Sequence, residues 1–398
     1  MSIGLLSPAA MKHCLRDFMS LREPVKASSE HLRETLAWIC RAQEATSDGG
    51  VSAWYRYDKG WGHSFIETTG YIIPTFLVAA HTTNNPRLIQ RAVTMGNFVC
   101  SMQLPSGGFR TYPFSQMMNS EPTIFNTGQD ILGLVALFTA TGESRYKLAA
   151  LKAADFLIIN QEKNGSWIQY EYGSRARTYE TRSARALLEC WKLTGEVKYK
   201  QAAEKALEWA LLQQDEDGWF RHAELPGLHP EKAFTHTISY CIEGLWFSGK
   251  ILQKKRYLLA AQRALDAISQ QIDPASSITL PGAFTKGWKV DAQFECLTGT
   301  AQIAAMLLIL FQETSLPLYR EKAEVLLKQL KSLQVTQGSH TVVRGAVAGC
   351  YPLYGDLKRR EGYSRMAYPN WAAKFFADAL LLERMKSEKA YELSNFLV

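Results

Sequence analysis

The sequence lacks most of the short motifs that mark metal, nucleotide or nucleic-acid sites. Its seven cysteines lie far apart without CxxC spacing, so neither a zinc knuckle nor a disulfide framework is indicated. The net charge of +7 is spread over 398 residues, without the basic tract of a nucleic-acid arm. Phosphate-binding glycine loops, GxSxG elbows and metal-ligand clusters are also missing. We therefore expect no cofactor, no metal and no nucleic-acid partner.

The sequence also has no segment that reads as a signal peptide or a membrane span. The first twenty residues lack a basic start followed by a long apolar stretch. The longest uncharged run, 296–312, contains hydroxyl and amide side chains near its start, which favours a helix buried within protein. The dispersed cysteines fit a reducing compartment. We expect a soluble, cytoplasmic protein without a transmembrane segment.

A repeat of about sixty residues organises the chain instead. Ala/Leu-rich segments with charges on one side, typical of amphipathic helices, occur near 30–45, 86–103, 144–161, 197–214, 255–271 and 317–334. Less charged helices are predicted between them, beginning near Glu67, Asn126, Tyr179, Thr235, Cys296 and Asn370. Such alternation indicates an outer and an inner set of helices.

The connections between the helices point to closure of the array. Long linkers that combine glycine with aromatics precede the inner helices, as in "NGSWIQYEYG" and "EDGWF", whereas short polar turns such as "TGEVKY" follow them. Six such hairpins predict an all-α (α/α)6 toroid of two concentric rings, in one domain over 30–398 after an N-terminal extension, 1–29. A linear helical solenoid is the structural alternative.

The inner helices should all begin at one end of the toroid, which we call the mouth. Several carboxylates are predicted to face it, and glycosidic cleavage needs two of them, one protonated and one ionised. We favour Glu67 with Glu180 or Asp130, because these lie in the opening turns of helices. His236 is a further catalytic candidate as a base near neutral pH. For each carboxylate, pairing with a neighbouring cation or helix N-terminus is an equally good account.

The other candidate site residues are expected to bind substrate. Aromatic side chains can stack on a sugar ring, and cations can hold anionic groups. Cations also fit poorly at helix N-termini as simple caps. The candidates are Trp61, Tyr112, Tyr179, Arg182, Asp291, Glu295, Tyr363, Arg365, Tyr368, Asn370, Trp371 and Lys374. Arginines in the loops, Arg110 and Arg175 among them, predict a basic rim that suits an acidic glycan.

Two family resemblances appear at these residues. The turns in "NQEKNGSW" and "QQDEDGWF" resemble the QW-type repeats of prenyltransferase and squalene-cyclase proteins. From about 30 to 385, segments such as "GWGHSFIETTGYIIPT", "TYETRSARALLE", "FTHTISYCIEGL" and "YPNWAAKFFADALLLE" resemble the VpsJ-like polysaccharide-biosynthesis family of bacterial exopolysaccharide and O-antigen loci. The second resemblance implies an (α/α)6 fold and a role on glycans, without an agreed set of catalytic residues.

The residues and the resemblance together favour an enzyme that cleaves or modifies a bacterial surface glycan or its lipid-linked precursor. A polysaccharide lyase or uronyl C5-epimerase is an alternative, in which Tyr179, Tyr363 or Tyr368 would move the proton. A non-catalytic glycan-binding or assembly protein is another. A cyclase-like enzyme is a further alternative, although a DxDD motif is absent and Asp291 and Cys296 lack the spacing of a prenyltransferase zinc site. It would require an apolar cavity without a charged floor.

Overall fold

The fold consists almost entirely of helices arranged in two rings. The computed structural model describes residues 7–110, 121–227, 231–337, 341–385 and 397. The inner helices are α3 (Ile66–Thr82), α5 (Ile124–Thr141), α7 (Thr181–Thr194), α9 (Thr235–Leu252), α11 (Leu297–Thr314) and α13 (Asn370–Arg384). The outer helices are α2 (Ser28–Glu44), α4 (Arg87–Ser101), α6 (Ser144–Ile159), α8 (Val197–Leu212), α10 (Lys255–Ser269) and α12 (Pro317–Leu333).

The inner ring is closed. Each inner helix packs against the next one along the chain, and α13 returns to pack against α3. Each inner helix from α3 to α11 also pairs with the outer helix that follows it, whereas α13 pairs with α2 from the start of the chain. The sixth hairpin is thus assembled from two distant segments. This closure confirms the (α/α)6 toroid and excludes the open solenoid.

Glycines let neighbouring inner helices approach closely. A Cβ added to Gly133 of α5 would stand 2.1 Å from the carbonyl oxygen of Gly70 in α3. A Cβ added to Gly244 of α9 would stand 2.3 Å from the backbone of Thr181 in α7. Both distances are far below a van der Waals contact, so any larger residue would force the helices apart.

Glutamine side chains link successive repeats by hydrogen bonds. Gln103, at the end of an outer helix, donates from Nε2 to the carbonyl oxygens of Gly107 and Ala149, at 2.9 and 2.8 Å. Gln161 and Gln214 repeat this pattern one and two hairpins later, on Gly165 with Ala202 and on Gly218 with Ala260. Each link joins a glycine turn to the next outer helix. The turns at Gln161 and Gln214 are those in "NQEKNGSW" and "QQDEDGWF".

Short antiparallel strands occupy the linkers that enter the inner helices. One sheet has the order β2-β1-β8 and another the order β3-β4-β5, while β6 pairs with β7. Their bounds are β1 Trp54–Arg56, β2 Gly60–Trp61, β3 Lys232–Phe234, β4 Ala283–Thr285, β5 Lys289–Val290, β6 Glu295–Cys296, β7 Cys350–Tyr351 and β8 Ala367–Pro369. In the first sheet, Tyr55 is paired with Tyr368. The strands hold the long linkers against one another around the mouth.

Helix α1 (Pro8–Phe18) lies within the predicted N-terminal extension and contacts the last linker. His13 Nδ1 is 2.6 Å from the hydroxyl of Tyr368, and Asp17 accepts a hydrogen bond from the backbone of Leu353. None of the helices in the described part of the chain combines the length and apolar character needed to span a bilayer.

Candidate active site at the mouth of the toroid

Four buried carboxyl groups meet at one side of the mouth, and we call them the acid cluster. Glu67 lies in the first turn of α3 and Asp130 in the second turn of α5, whereas Glu171 and Glu180 come from the loop and 3₁₀ turn before α7. Glu67 remains 8% exposed, and Asp130 is fully buried. Their mutual interactions show that the four groups share one electrostatic environment.

Burial keeps Glu67 protonated near neutral pH and favours the neutral form of Asp130. Desolvation raises the pKa of Glu67 to about 8, against the opposing charge of Arg182. Desolvation also raises the pKa of Asp130 well above its ordinary value, and the charge of Glu67 adds to that effect. Neither carboxyl oxygen of Asp130 has a hydrogen-bond partner, and a neutral carboxyl group tolerates such a site far better than a charged one.

Glu171 and Glu180 differ in which of them holds the proton. Burial raises the pKa of both groups, and the charge of Glu171 raises that of Glu180 further. Glu171 accepts hydrogen bonds from the hydroxyl of Tyr179 at 3.1 Å and from the backbone N–H of Tyr172 at 3.0 Å. These bonds favour the ionised form of Glu171, so Glu180 is the member of the pair that keeps its proton.

A hydrogen-bonded network forms the floor beside the acid cluster. Arg182 of α7 donates to Gln129 of α5 at 2.8 Å and forms a fully buried ion pair with Glu243 of α9. Gln302 of α11 donates to Glu243 at 2.9 Å, and its Oε1 lies 2.6 Å from Nδ1 of His236. Polar side chains thereby join four inner helices, α5, α7, α9 and α11. The floor is therefore charged rather than apolar.

This network fixes the state of His236. Because Gln302 uses its amide N–H on Glu243, its Oε1 is the atom that accepts from His236, and Nδ1 carries the proton. Burial lowers the pKa of His236 to about 3. The imidazole is neutral at physiological pH, with its Nε2 lone pair available to accept a hydrogen bond.

Lys374 is paired as well. Its ammonium lies 2.6 Å from Asp378, which also accepts a hydrogen bond from Thr75. The ammonium lies 4.0 Å from the ring centroid of Phe375. Burial lowers the pKa of Lys374 to about 8, and Asp378 opposes that shift. Arg182 and Lys374, the two buried cations predicted at the mouth, are therefore both paired with neighbouring carboxylates.

The structure brings several predicted substrate-binding residues to the mouth. Tyr179 contacts the acid cluster, and the ring of Tyr363 lies 5.0 Å from that of His236. Trp371 follows at the start of α13, with its ring 6.3 Å from that of Phe65. Asn370 donates to Ser52 and Thr68, and so ties the start of α13 to the neighbouring linker and helix.

Other predicted site residues make contacts elsewhere. Glu295 accepts from Thr300, the backbone of Thr279 and Gln329 of the outer helix α12, so it faces the outer ring. Asp291 pairs with Lys232 and Arg359 in the linkers. The structure does not join either carboxylate to the acid cluster, because both are held by partners outside it.

Three more candidates support the linkers. Arg365 donates to the carbonyl oxygen of Tyr354. Tyr368 is hydrogen-bonded to His13, and Trp61 packs against Trp38 with ring centroids 5.5 Å apart. Sequence reasoning placed these residues by their nearness to inner helices, but β2 holds Trp61 and β8 holds Tyr368 in the first sheet. Tyr112 lies outside the described residues.

Important members of the site were missed by the sequence analysis. Glu243 lies seven residues after His236 and Tyr240 four residues after it, so helical spacing places all three on one face. A lone carboxylate in the otherwise uncharged "THTISYCIEGLW" was an available signal. Glu171 lies in an irregular loop, where no periodicity reveals its direction. Within the described ranges, no group of three or more histidine, cysteine or acidic residues could hold a metal ion.

Residues 18–272 match the model of a glycoside-hydrolase family, the catalytic domain of beta-L-arabinofuranosidase, GH127. The match spans more than half of the chain. The chain belongs to the GH127 catalytic-domain family. This GH127 member is therefore a glycoside hydrolase-like enzyme that acts on carbohydrate. No curated protein matches the sequence significantly.

Solved structures of similar fold also include carbohydrate enzymes. An unsaturated glucuronyl hydrolase specific for heparin has a TM-score of 0.71 at 16% identity, covering 89% of this chain and 96% of its own. The unsaturated glucuronyl hydrolase of Bacillus sp. GL1 has a TM-score of 0.68 at 15% identity, with 90% and 97% covered. Cellobiose 2-epimerase from Bacillus thermoamylovorans B4167 has a TM-score of 0.67 at 11% identity, with 89% and 98% covered. At these identities the likeness concerns the fold of the GH127 member alone.

Proposed function

We propose that this GH127 family member hydrolyses a glycosidic bond in a bacterial surface polysaccharide, with Glu67 as the general acid. The observation that carries the proposal is the state of Glu67. It is buried enough to hold its proton up to about pH 8, and it is the most exposed group of the acid cluster. A general acid needs both properties, because it must reach the glycosidic oxygen while still protonated.

The remaining acid cluster supplies the second carboxylate. In the bond-breaking step the proton of Glu67 passes to the glycosidic oxygen as the carbon–oxygen bond breaks. The negative charge shared by Glu171 and Glu180 balances the positive charge that develops on the sugar ring. Water then adds to the anomeric carbon, and its proton returns to a carboxylate of the cluster. Asp130, beneath Glu67 and without access to solvent, acts as a positioning residue.

The floor binds sugar hydroxyl groups in this proposal. His236 accepts one through Nε2, while Tyr179, Tyr363 and Trp371 offer hydroxyl and aromatic surfaces at the mouth. Arg182 and Lys374 act chiefly by holding the floor, since each is bound to a carboxylate. Acidic groups of the glycan would be met by cations of the surrounding loops.

A lyase or C5-epimerase has less support, because these reactions require a base beside a uronic acid. Burial raises the pKa of Tyr179, Tyr363 and Tyr368, the tyrosines considered for that role, well above the ordinary value for tyrosine, so all three stay protonated. His236, with its pKa near 3, is a weak base. A cyclase-like enzyme fits poorly for another reason, since the floor carries Arg182, Glu243 and Lys374.

The biological setting is part of the proposal. The VpsJ-like segments of the sequence support a role in exopolysaccharide or O-antigen biosynthesis, on the polymer or on its lipid-linked precursor. A cytoplasmic location follows from that role and from the scattered cysteines.

The test is turnover of purified exopolysaccharides and O-antigens, including those from the genetic locus that encodes this chain. New reducing ends are counted after incubation with the wild type, with Glu67→Gln, and with Glu321→Gln as a control at an exposed position of α12. Loss of one general acid lowers the rate by about 10²–10⁴. We expect that loss in Glu67→Gln and none in the control. Equal product from both variants would overturn the assignment of Glu67.

A further inference from the structure

A second cavity, separate from the acid cluster, opens beside the linkers that enter α7 and α9. Its volume is about 610 Å³, within the range of roughly 300–1,000 Å³ that is typical of ligand pockets. Its lining includes Trp209, His222 and the buried Glu224, together with the exposed Arg175 and Lys286. We call it the side cavity.

The lining of the side cavity contains a polar atom that needs a partner. Glu224 is 3% exposed, and one of its carboxyl oxygens forms a buried ion pair with Arg177. The other oxygen, Oε2, has no hydrogen-bond partner, and neither has Nε of Arg177. Leaving a buried polar group unpaired is unfavourable, and more so when the group is charged. A donor on a bound molecule would remove that cost.

Two aromatic rings also line the side cavity. The rings of Trp209 and His222 are nearly parallel, with an interplanar angle of 27° and centroids 6.3 Å apart. Trp209 is partly exposed, while the imidazole supports its position from the adjacent loop. An aromatic face next to a buried carboxylate is the combination that suits a sugar, whose C–H face stacks while its hydroxyl groups donate.

We propose that the side cavity binds one pyranose unit of a glycan chain, with the sugar ring against Trp209 and a hydroxyl group donating to Oε2 of Glu224. This site is additional to the mouth and does not depend on the hydrolysis proposed there. The same loop, 160–177, contributes Arg175 to the side cavity and Glu171 to the acid cluster.

The experiment uses ¹⁹F NMR of the full chain labelled with 5-fluorotryptophan. The Trp209 signal is assigned by its loss in Trp209→Phe, and Trp191, whose ring lies under Lys200, serves as the internal reference. The probes are methyl β-D-glucopyranoside, methyl β-D-galactopyranoside and methyl α-D-mannopyranoside. We expect at least one of them to shift the Trp209 signal saturably at millimolar concentration, without moving that of Trp191. The shift should persist in Glu67→Gln, which separates this site from the catalytic proposal.

Two variants test the contacts themselves. Glu224→Gln should weaken binding about tenfold, which corresponds to about 1.4 kcal/mol. Because that change also leaves Arg177 unpaired, His222→Ala, at an exposed position, provides a second measurement and should weaken binding without unfolding the chain. The proposal is overturned if none of the three glycosides shifts the Trp209 signal, if all tryptophan signals shift together, or if both variants bind as the wild type does.

Discussion

Gly70 leaves the space that Asp130 occupies, since a Cβ placed on Gly70 would stand 2.2 Å from Oδ1 of Asp130. The contact joins α3 to α5 directly beneath Glu67. It explains how a fully buried carboxyl group fits between two closely packed helices. The packing of the inner ring and the position of the acid cluster are thus determined by the same residues.

Gly70→Ala should destabilise the fold by about 1–3 kcal/mol, the usual cost of overpacking. Chemical denaturation measures this loss. In an Asp130→Ala background the same change should cost about 1 kcal/mol less, because the nearest clashing atom is gone. Equal costs in the two backgrounds would show that Asp130 does not fill this space.

Glu67 should make stability depend on pH. Its pKa is raised from 4.5 to about 8 in the folded protein, so the folded state binds more protons than the unfolded state between these values. The stability contributed by protonated Glu67 is present below about pH 4.5 and is lost as pH rises through about 8. Gln does not titrate, so Glu67→Gln should gain stability relative to the wild type as pH rises, by up to about 1.4 kcal/mol per pH unit. Urea denaturation at pH 5, 6.5 and 8 measures the difference, and a constant difference would contradict the account.

The buried pair of Arg182 and Glu243 should be far more sensitive than an exposed one. Glu243→Gln leaves a buried guanidinium without its counterion, and we expect a loss of about 3–5 kcal/mol in the free energy of unfolding. Glu313→Gln, which breaks a partly exposed pair with Lys250, should cost less than about 1 kcal/mol. Similar losses in the two variants, measured by urea denaturation, would count against a structural role for the floor.

Removing the charge of Glu171 should lower the pKa of Glu180, because that charge is among the causes that raise it. The pKa of Glu180 is measured by ¹³C NMR titration of its Cδ in the wild type and in Glu171→Gln, with Glu180→Gln for assignment. In Tyr179→Phe the pKa of Glu171 should rise instead, because a hydrogen bond to its ionised form is lost. An unchanged Glu180 titration in Glu171→Gln would show that the two groups do not interact.

The ring architecture could be predicted from sequence because helical periodicity survives in every repeat. The outer helix predicted at 197–214 is α8 (Val197–Leu212), and the inner helix predicted near Thr235 begins at that residue. Residues in the opening turns, such as Glu67 and Arg182, follow from that geometry. Single-domain organisation over 30–398 stays a prediction.

The direction of side chains in the linkers could not be predicted. Glu295 and Tyr368 are close in sequence to inner helices, yet β6 and β8 turn them toward an outer helix and toward α1. Glu171 enters the mouth from a loop without a period. Protonation states depend on burial and on neighbours that are distant in sequence, as with His236 and Gln302, 66 residues apart, and emerge only once the ring is closed.

The most direct test of the account is the pKa of Glu67 in the intact protein. Selective ¹³C labelling of glutamate, with Glu67→Gln to assign the Cδ signal, allows that group to be titrated without any substrate. We predict a midpoint of about 8, in the range where turnover on the cognate polysaccharide should also decline as the acid loses its proton. A midpoint near 4.5, the ordinary value, would mean that Glu67 is ionised at neutral pH and cannot be the general acid.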